Sequence, residues 1–452
     1  MRNLSVLCFL SLLFSLPLDA QAQKKRAPVA AAKPSVSAAT VERVIQTLAA
    51  DGMQGRSSVK PGGLQAAQFL STEFQRLGLQ MLPGLSSYEQ VFPAYESQVA
   101  ALFVTINNAP VAKENALLIS SQAHLNWTSE DEAAARVLVI GPQEKPQQHM
   151  RAMLRPTENT VVLLDPTHAA DFKRLAEYVS HSTIRADKTG NPFSSIVLLA
   201  PAPNAPKVTF KVAGNTTTRT LELRNVVGVL PGKDPARTAE QVVFSAHYDH
   251  IGVLPPVAGD SIANGADDDA SGTTAVVALA EYFKKKNDNA RTLVFVAFTA
   301  EEIGGFGSQH FSKQLDPVKV VAMFNIEMIG KPAKFGPNTA FITGFERSDF
   351  GPLLQANLKG TPFRFEPDPY PEQNLFFRSD NATLARLGVP AHSISTDQIP
   401  TDKLYHSVDD EVESLDLANM TAVITAIARS ATGIVAGQQT PTRITLETPA
   451  KP

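Results

Sequence analysis

The chain has 452 residues, enough for more than one domain at the usual scale of about 100 to 200 residues each. Hydrophobic residues make up 43% and charged residues 19%, with a net charge of −3, which excludes a disordered low-complexity chain and gives no basic surface for nucleic acid. The single cysteine, Cys8, lies in an amino-terminal apolar run, so the rest of the chain has no thiol and cannot use disulfides. That run, Leu4 to Leu16, follows Arg2 and precedes Ala20-Gln21-Ala22. It is too short to span a bilayer and reads as a signal peptide over 1–22, predicting export to a bacterial periplasm or the medium without a transmembrane anchor. The Asn-x-Ser/Thr sites at Asn126, Asn215 and Asn381 read as chance matches.

Residues 23–37 are basic and rich in Ala and Pro, a flexible lead-in. A helix follows with Val41, Val44, Ile45 and Leu48 on one stripe, and a second from about Leu64 to Leu77 with Gly78 as its stop. From 96 to 221, short apolar runs (137–140, 161–164, 196–199) alternate with polar loops and one helical stretch, 172–179, and the region reads as an inserted smaller α/β or β-rich domain. His124, His149, His168 and His181 within it read as surface or satisfied histidines. An α/β pattern resumes at Val226 and runs to about 437, with strands predicted at 242–246, 292–298, 320–326 and 389–395. Helices between them imply a mixed, mainly parallel central sheet covered on both faces. The Pro- and Thr-rich tail, 438–452, reads as disordered.

The chemistry gathers where those strands end. The first delivers His247 and Asp249, and its return loop carries Asp267, Asp268 and Asp269 ahead of a helix opened by Ser271. The second ends in Glu301-Glu302 and the third in Glu327, while Tyr405-His406 follows in a polar loop that ends at Asp409-Asp410. Open α/β sheets place ligands at the carboxyl edges of their strands. Two adjacent glutamates there repel unless a cation sits by them. His247, Asp268, Glu302, Glu327 and His406 supply two imidazoles and three carboxylates, enough for two Zn2+ ions that share one aspartate.

In this order, HxD, GADDDASG, AEEIGGFGS, NIEMIG and YHS resemble the co-catalytic zinc aminopeptidases, a family with bacterial leucyl aminopeptidase, glutamate carboxypeptidase-like and glutaminyl cyclase branches. The resemblance covers about 38–95 and 222–435, and implies a zinc-peptidase/phosphorylase-like fold with a discontinuous peptidase domain over 38–95 and 222–437. It implies that His247 and Glu327 hold one zinc, that Glu302 and His406 hold the other, and that Asp268 bridges them. Glu301 would be the general base, and Asp249 would hold the His247 ring by a hydrogen bond. Tyr405 becomes a candidate for polarising the substrate carbonyl, and Asp380 a candidate outer residue. Asp267 and Asp269 read as capping or loop groups, and His250 and His310 as structural.

Two departures stand out: many members have aspartate at the place of Glu327, and often read Ser-Asp-His where this chain has Ser379-Asp380-Asn381. The insert resembles, more weakly, a protease-associated domain, which predicts a lid or wall beside the site. The function expected is an exported zinc-dependent exopeptidase acting on peptides, foremost an aminopeptidase. Glutaminyl cyclase, carboxypeptidase or dipeptidase activity on the same fold, and a non-catalytic receptor-like module, remain open alternatives.

Overall fold

A computed structural model describes residues 35–131, 133–181, 184–201 and 207–445. The signal peptide over 1–22, with Cys8, and the lead-in up to 34 lie outside the described residues, as does 446–452. Helix α1 (Ala38–Leu48) buries Val41, Val44, Ile45 and Leu48, and Ser37 caps it by accepting from the Thr40 N–H at 3.2 Å. Helix α2 (Pro61–Arg76) starts with proline at its first position, where a missing N–H costs nothing. There follow β1 (Glu89–Ile106), β2 (Phe210–Leu230), β3 (Gln241–His247), α3 (Gly272–Lys286), β4 (Thr292–Phe298), α4 (Phe306–Gln314) and β5 (Val320–Ile326). The chain continues through β6 (Thr339–Ile342), β7 (Arg364–Pro367), α5 (Asn381–Ala385), β8 (Ala391–Ser395) and α6 (Leu417–Ser430).

The strands line up as β7-β6-β8-β5-β3-β4-β2-β1 in a mixed sheet. Its middle, β8-β5-β3-β4, is parallel, so the four strands end at one edge. β2 and β1 continue antiparallel on one side, and β6 pairs antiparallel with β8 on the other. Alternate residues of the middle strands go to opposite faces. Val242, Phe244, Leu293, Phe295 and Phe324 join the core under α1, α2, α3 and α6, whereas Val243, Val294, Val296 and Met323 join the core under α4 and α5. Burial on both faces is why these strands read as unbroken apolar runs in the sequence.

The boundaries expected at 96 and 221 fall inside β1 and β2. These two pair from Glu89 opposite Val226 to Ile106 opposite Phe210, so the central sheet runs directly into the insert. Beyond them Ala116–Ile119, Ser195–Leu199, Thr160–Leu164 and Arg136–Ile140 form a separate four-stranded sheet, with a helix at Ala169–His181. The expectation of a disordered tail is corrected for 438–445. Arg443 donates to the carbonyl oxygens of Pro317 and Val320 at 3.0 and 2.9 Å, and Ile444 is buried. No helix of the described residues is long and apolar enough to cross a membrane.

Candidate metal centre

Because β3, β4, β5 and β8 end at one edge, His247, Glu301-Glu302, Glu327 and the loop after Ser395 meet there. Asp268 arrives from the turn that opens α3. A Cβ on Gly272 would lie 2.2 Å from the Ile326 carbonyl oxygen and 2.5 Å from Asp269 Oδ1, so only glycine lets this turn sit against β5.

The two oxygens of Asp268 face different histidines. Oδ1 is 3.3 Å from His247 Nε2, and Oδ2 is 3.2 Å from His406 Nε2. His247 Nε2 is also 3.3 Å from Glu327 Oε1, and His406 Nε2 is 3.1 Å from Glu302 Oε2. Two donor groups result, His247, Asp268 and Glu327 in one and His250, Asp268, Glu302 and His406 in the other, with the donor atoms of each within 4.8 Å of one another. All five residues named as ligands from the sequence are thus brought together. The donor chemistry fits zinc, since imidazole and carboxylate are both its ligands and Asp268 belongs to both groups.

His250 corrects the reading of it as structural. It is buried, and its Nδ1 lies 2.9 Å from Glu302 Oε1 and 3.7 Å from Asp268 Oδ2. The shorter contact fixes one oxygen of Glu302 while the other faces His406. A carboxylate or carbonyl that steadies a ligand is a common feature of metal sites, and here an imidazole steadies the carboxylate. Replacing His250 with alanine should weaken zinc binding about 10- to 100-fold in competition with a chelator; unchanged affinity would remove it from the centre. The sequence signal was its place three residues after His247. The other histidine read as structural, His310, stacks on Phe92 with ring centroids 4.3 Å apart.

Asp249 is also corrected. Its carboxylate approaches His247 Nδ1 only to 3.8 Å, whereas its backbone carbonyl oxygen is 3.1 Å away. The carboxylate instead accepts from Ser58 Oγ at 2.8 Å and from the Glu301 and Glu302 N–H groups at 3.2 and 3.4 Å. It therefore holds the glutamate turn rather than the ring.

The flanking aspartates brace loops, as capping groups would. Asp269 accepts from the Gly272 and Met328 N–H groups, both at 3.0 Å, and Asp267 accepts from Gly330 N–H at 2.8 Å. Asp410, which the sequence did not single out, accepts from the Asp267 and Asp268 N–H groups at 3.0 and 3.1 Å. Glu327 is steadied by a polar chain: Ser379 Oγ donates to its Oε2 at 2.5 Å, and Asn325 Nδ2 lies 2.7 Å from the same hydroxyl.

Arg56 was missed entirely. Wholly buried, it donates to the carbonyl oxygens of Tyr248 at 2.6 Å, Leu48 at 2.9 Å and Gly265 at 2.8 Å, and also to Asn264. It thereby ties the turn after β3 to the turn that carries Asp268, and it sets a positive charge beneath the aspartates.

The electrostatics favour a cation. Burial lowers the pKa of His247, yet Glu327 and Asp268 hold it well above the ordinary value. Burial likewise works against His406, but Asp268 and Glu302 push it up to about 10. Burial raises Asp268, and its hydrogen bonds with His247 and His406 still keep it well below the usual carboxylate range. A place that stabilises imidazolium and carboxylate side by side is one that stabilises a metal cation. Glu301 differs: burial, with Asp380, Glu302 and Glu327 nearby, drives its pKa well above normal against the pull of His247. Asp380 is buried with both oxygens unpartnered, and burial pushes it up to about 7.

The centre opens on a cleft of about 620 Å³ that Glu301, Tyr405 and Arg378 also line. Tyr405 stacks on His406 with ring centroids 3.9 Å apart, and burial followed by the nearby carboxylates raises its pKa, so the hydroxyl keeps its proton. Tyr370 and Phe376, near the centre in the chain, are buried in packing, with Tyr370 edge-on to Phe341 and Phe376 in the core. Among the described residues of 96–221, none lines the cleft. Ile184 of the insert packs against the buried cluster of Phe92, Ala94, Leu223 and Ala300, next to the turn that carries Glu301 and Glu302.

Residues 225–431 match the model of peptidase family M28. Leucine aminopeptidase 1 of Trichoderma harzianum is 29% identical over 215 residues, covering 43% of this chain and 50% of that protein. Leucine aminopeptidase 1 of Emericella nidulans is 29% identical over 201 residues, covering 41% and 50%. The chain therefore spans about half the length of the curated relatives it matches. Among solved structures, a zinc aminopeptidase from Bacillus subtilis aligns with a TM-score of 0.54 at 14% identity, over 92% of this chain and 97% of that one. An aminopeptidase from Aneurinibacillus sp. strain AM-1 aligns with a TM-score of 0.52 at 17% identity, over 91% and 96%. Residues 225–431 thus match peptidase family M28, and the chain shares its fold with the two solved bacterial aminopeptidases.

Proposed function

We propose that the chain is a zinc-dependent exopeptidase that removes amino-terminal residues from peptides. The observation that carries this reading is the division of Asp268 between His247 and His406, with Glu301 on the wall of the same cleft. His247 and Glu327 would hold one zinc, Glu302 and His406 the other, and Asp268 both. Bound there, zinc supplies a Lewis acid that brings the pKa of water toward about 7.

The chain's own residues do the rest. Glu301, whose surroundings favour proton uptake, takes a proton from the attacking water at a carboxylate oxygen, then returns it to the leaving amine nitrogen as the C–N bond breaks. The Tyr405 hydroxyl, still protonated, is suited to donate a hydrogen bond to the substrate carbonyl oxygen. Asp249 keeps Glu301 in place through its N–H. The names of the fungal relatives and the amino-terminal preference of the resembling family support an aminopeptidase in particular. The signal-like residues 1–22 support an exported one.

The test is a pair of peptides of one sequence, with a free and an acetylated amino terminus. The free peptide should lose its first residue and the acetylated one should not be cleaved. Equal cleavage of both, release from the carboxyl end, or cyclisation of an amino-terminal glutamine with loss of ammonia would overturn the reading.

A further inference from the structure

The cleft holds a carboxyl group that the proposed hydrolysis does not use. Asp397, just beyond β8, lines the cleft and is only 5% exposed, and its Oδ1 has no hydrogen-bond partner. Behind it lie two more carboxylates, Asp267 and Asp402, and the oxygens of the three come within 4.8 Å of one another. The one ammonium among them is committed elsewhere: Lys331 Nζ is 2.6 Å from Asp402 and 3.2 Å from Asp267. Of the three carboxylates, Asp397 is the one without an ion pair and the one that faces the cleft. Burial first, then Asp267 and Asp402, push it up to about 8, with Lys331 opposing. The other charged side chain on this part of the wall, Arg378, is exposed and donates to Gln373 Oε1 at 3.3 Å.

Burial and the neighbouring carboxylates favour the neutral form of Asp397 because its charge has no partner, and a cation brought by the substrate would supply that partner and stabilise the carboxylate. An apolar side chain in the same place would exclude water and supply none. Met328, Phe341 and Ile399 line the cleft with Asp397, and they offer apolar surface for the methylene stem of a long cationic side chain.

We propose that Asp397 makes the cleft selective for substrates whose amino-terminal residue has a cationic side chain, lysyl or arginyl. The proposal rests on the peptidase reading and narrows its substrate class. Lysine and norleucine test it directly, since lysine has the same four-carbon side chain as norleucine with an ammonium on its last carbon.

Rates would be measured on lysyl, arginyl and norleucyl 4-nitroanilides with the zinc-loaded full chain, alongside calorimetric binding of lysinamide and norleucinamide. Lysyl should exceed norleucyl at least about tenfold in kcat/KM, and lysinamide should bind at least about tenfold more tightly than norleucinamide. Asp397→Asn should bring both ratios to within about threefold of one, and Asp397→Glu should keep the lysyl preference. A parental preference for norleucine, or ratios that Asp397→Asn leaves unchanged, overturns the proposal. If lysinamide keeps its advantage while no anilide is cleaved, the role of Asp397 is supported and the peptidase reading falls.

Discussion

Glu301→Gln lowers kcat by about 100- to 10,000-fold, the usual contribution of a positioned acid–base group, while zinc content stays at the parental value. The substitution keeps the size of the side chain and its place above Asp249, so the backbone bond from Glu301 N–H to Asp249 survives. What is lost is the ability to accept a proton. Glu301 is well suited to that task, since burial and three neighbouring carboxylates all favour its protonated form. Because Glu301 is in neither donor group, metal binding should be unaffected. Steady-state kinetics beside a zinc assay read both halves. Parental turnover in the variant would remove Glu301 from the chemistry, and loss of zinc would make it a ligand.

Asp268→Asn abolishes binding at both sites together. Groups that merely steady a ligand are worth about 10- to 100-fold in metal affinity, so a carboxylate shared by two sites should cost more than about 100-fold. The amide keeps the shape of the side chain but loses the charge that balances His247 and His406, whose imidazoles depend on it. It also leaves intact the backbone bond from Asp268 N–H to Asp410, so the turn should keep its form. Zinc content after dialysis against a chelator buffer measures the effect. Full zinc content in this variant would show that Asp268 is not the bridge.

The central strands and their ends were legible because a strand buried on both faces must be apolar along its length. Its first charged residue then marks the edge of the sheet. His247, Glu301-Glu302 and Glu327 each follow such a run, and the parallel order brings those ends together. His406 and Asp268 lie in loops with no such marker, and there the motif resemblance carried the reading.

What escaped the sequence is what depends on tertiary contact. β1 and β2 alternate exposed and buried residues with many threonines and charges, so their polar outer halves read as the start of a separate domain. Arg56 sits 192 positions from its partner Tyr248, and no local pattern says that its guanidinium is spent on carbonyl oxygens. His250 was set aside because His247 explained the motif. Asp249 was given a role its carboxylate does not fill, since from the sequence alone its carbonyl and its side chain are equally near the imidazole. The tail was read from its Pro and Thr content, which does not reveal that Arg443 finds carbonyl acceptors at the start of β5.

The claim on which these expectations rest is that two cations share Asp268. Elemental analysis of the full chain, purified without chelator and equilibrated with zinc, counts them directly. About two zinc ions per chain is the predicted result, and a fully active chain with no bound metal would contradict it.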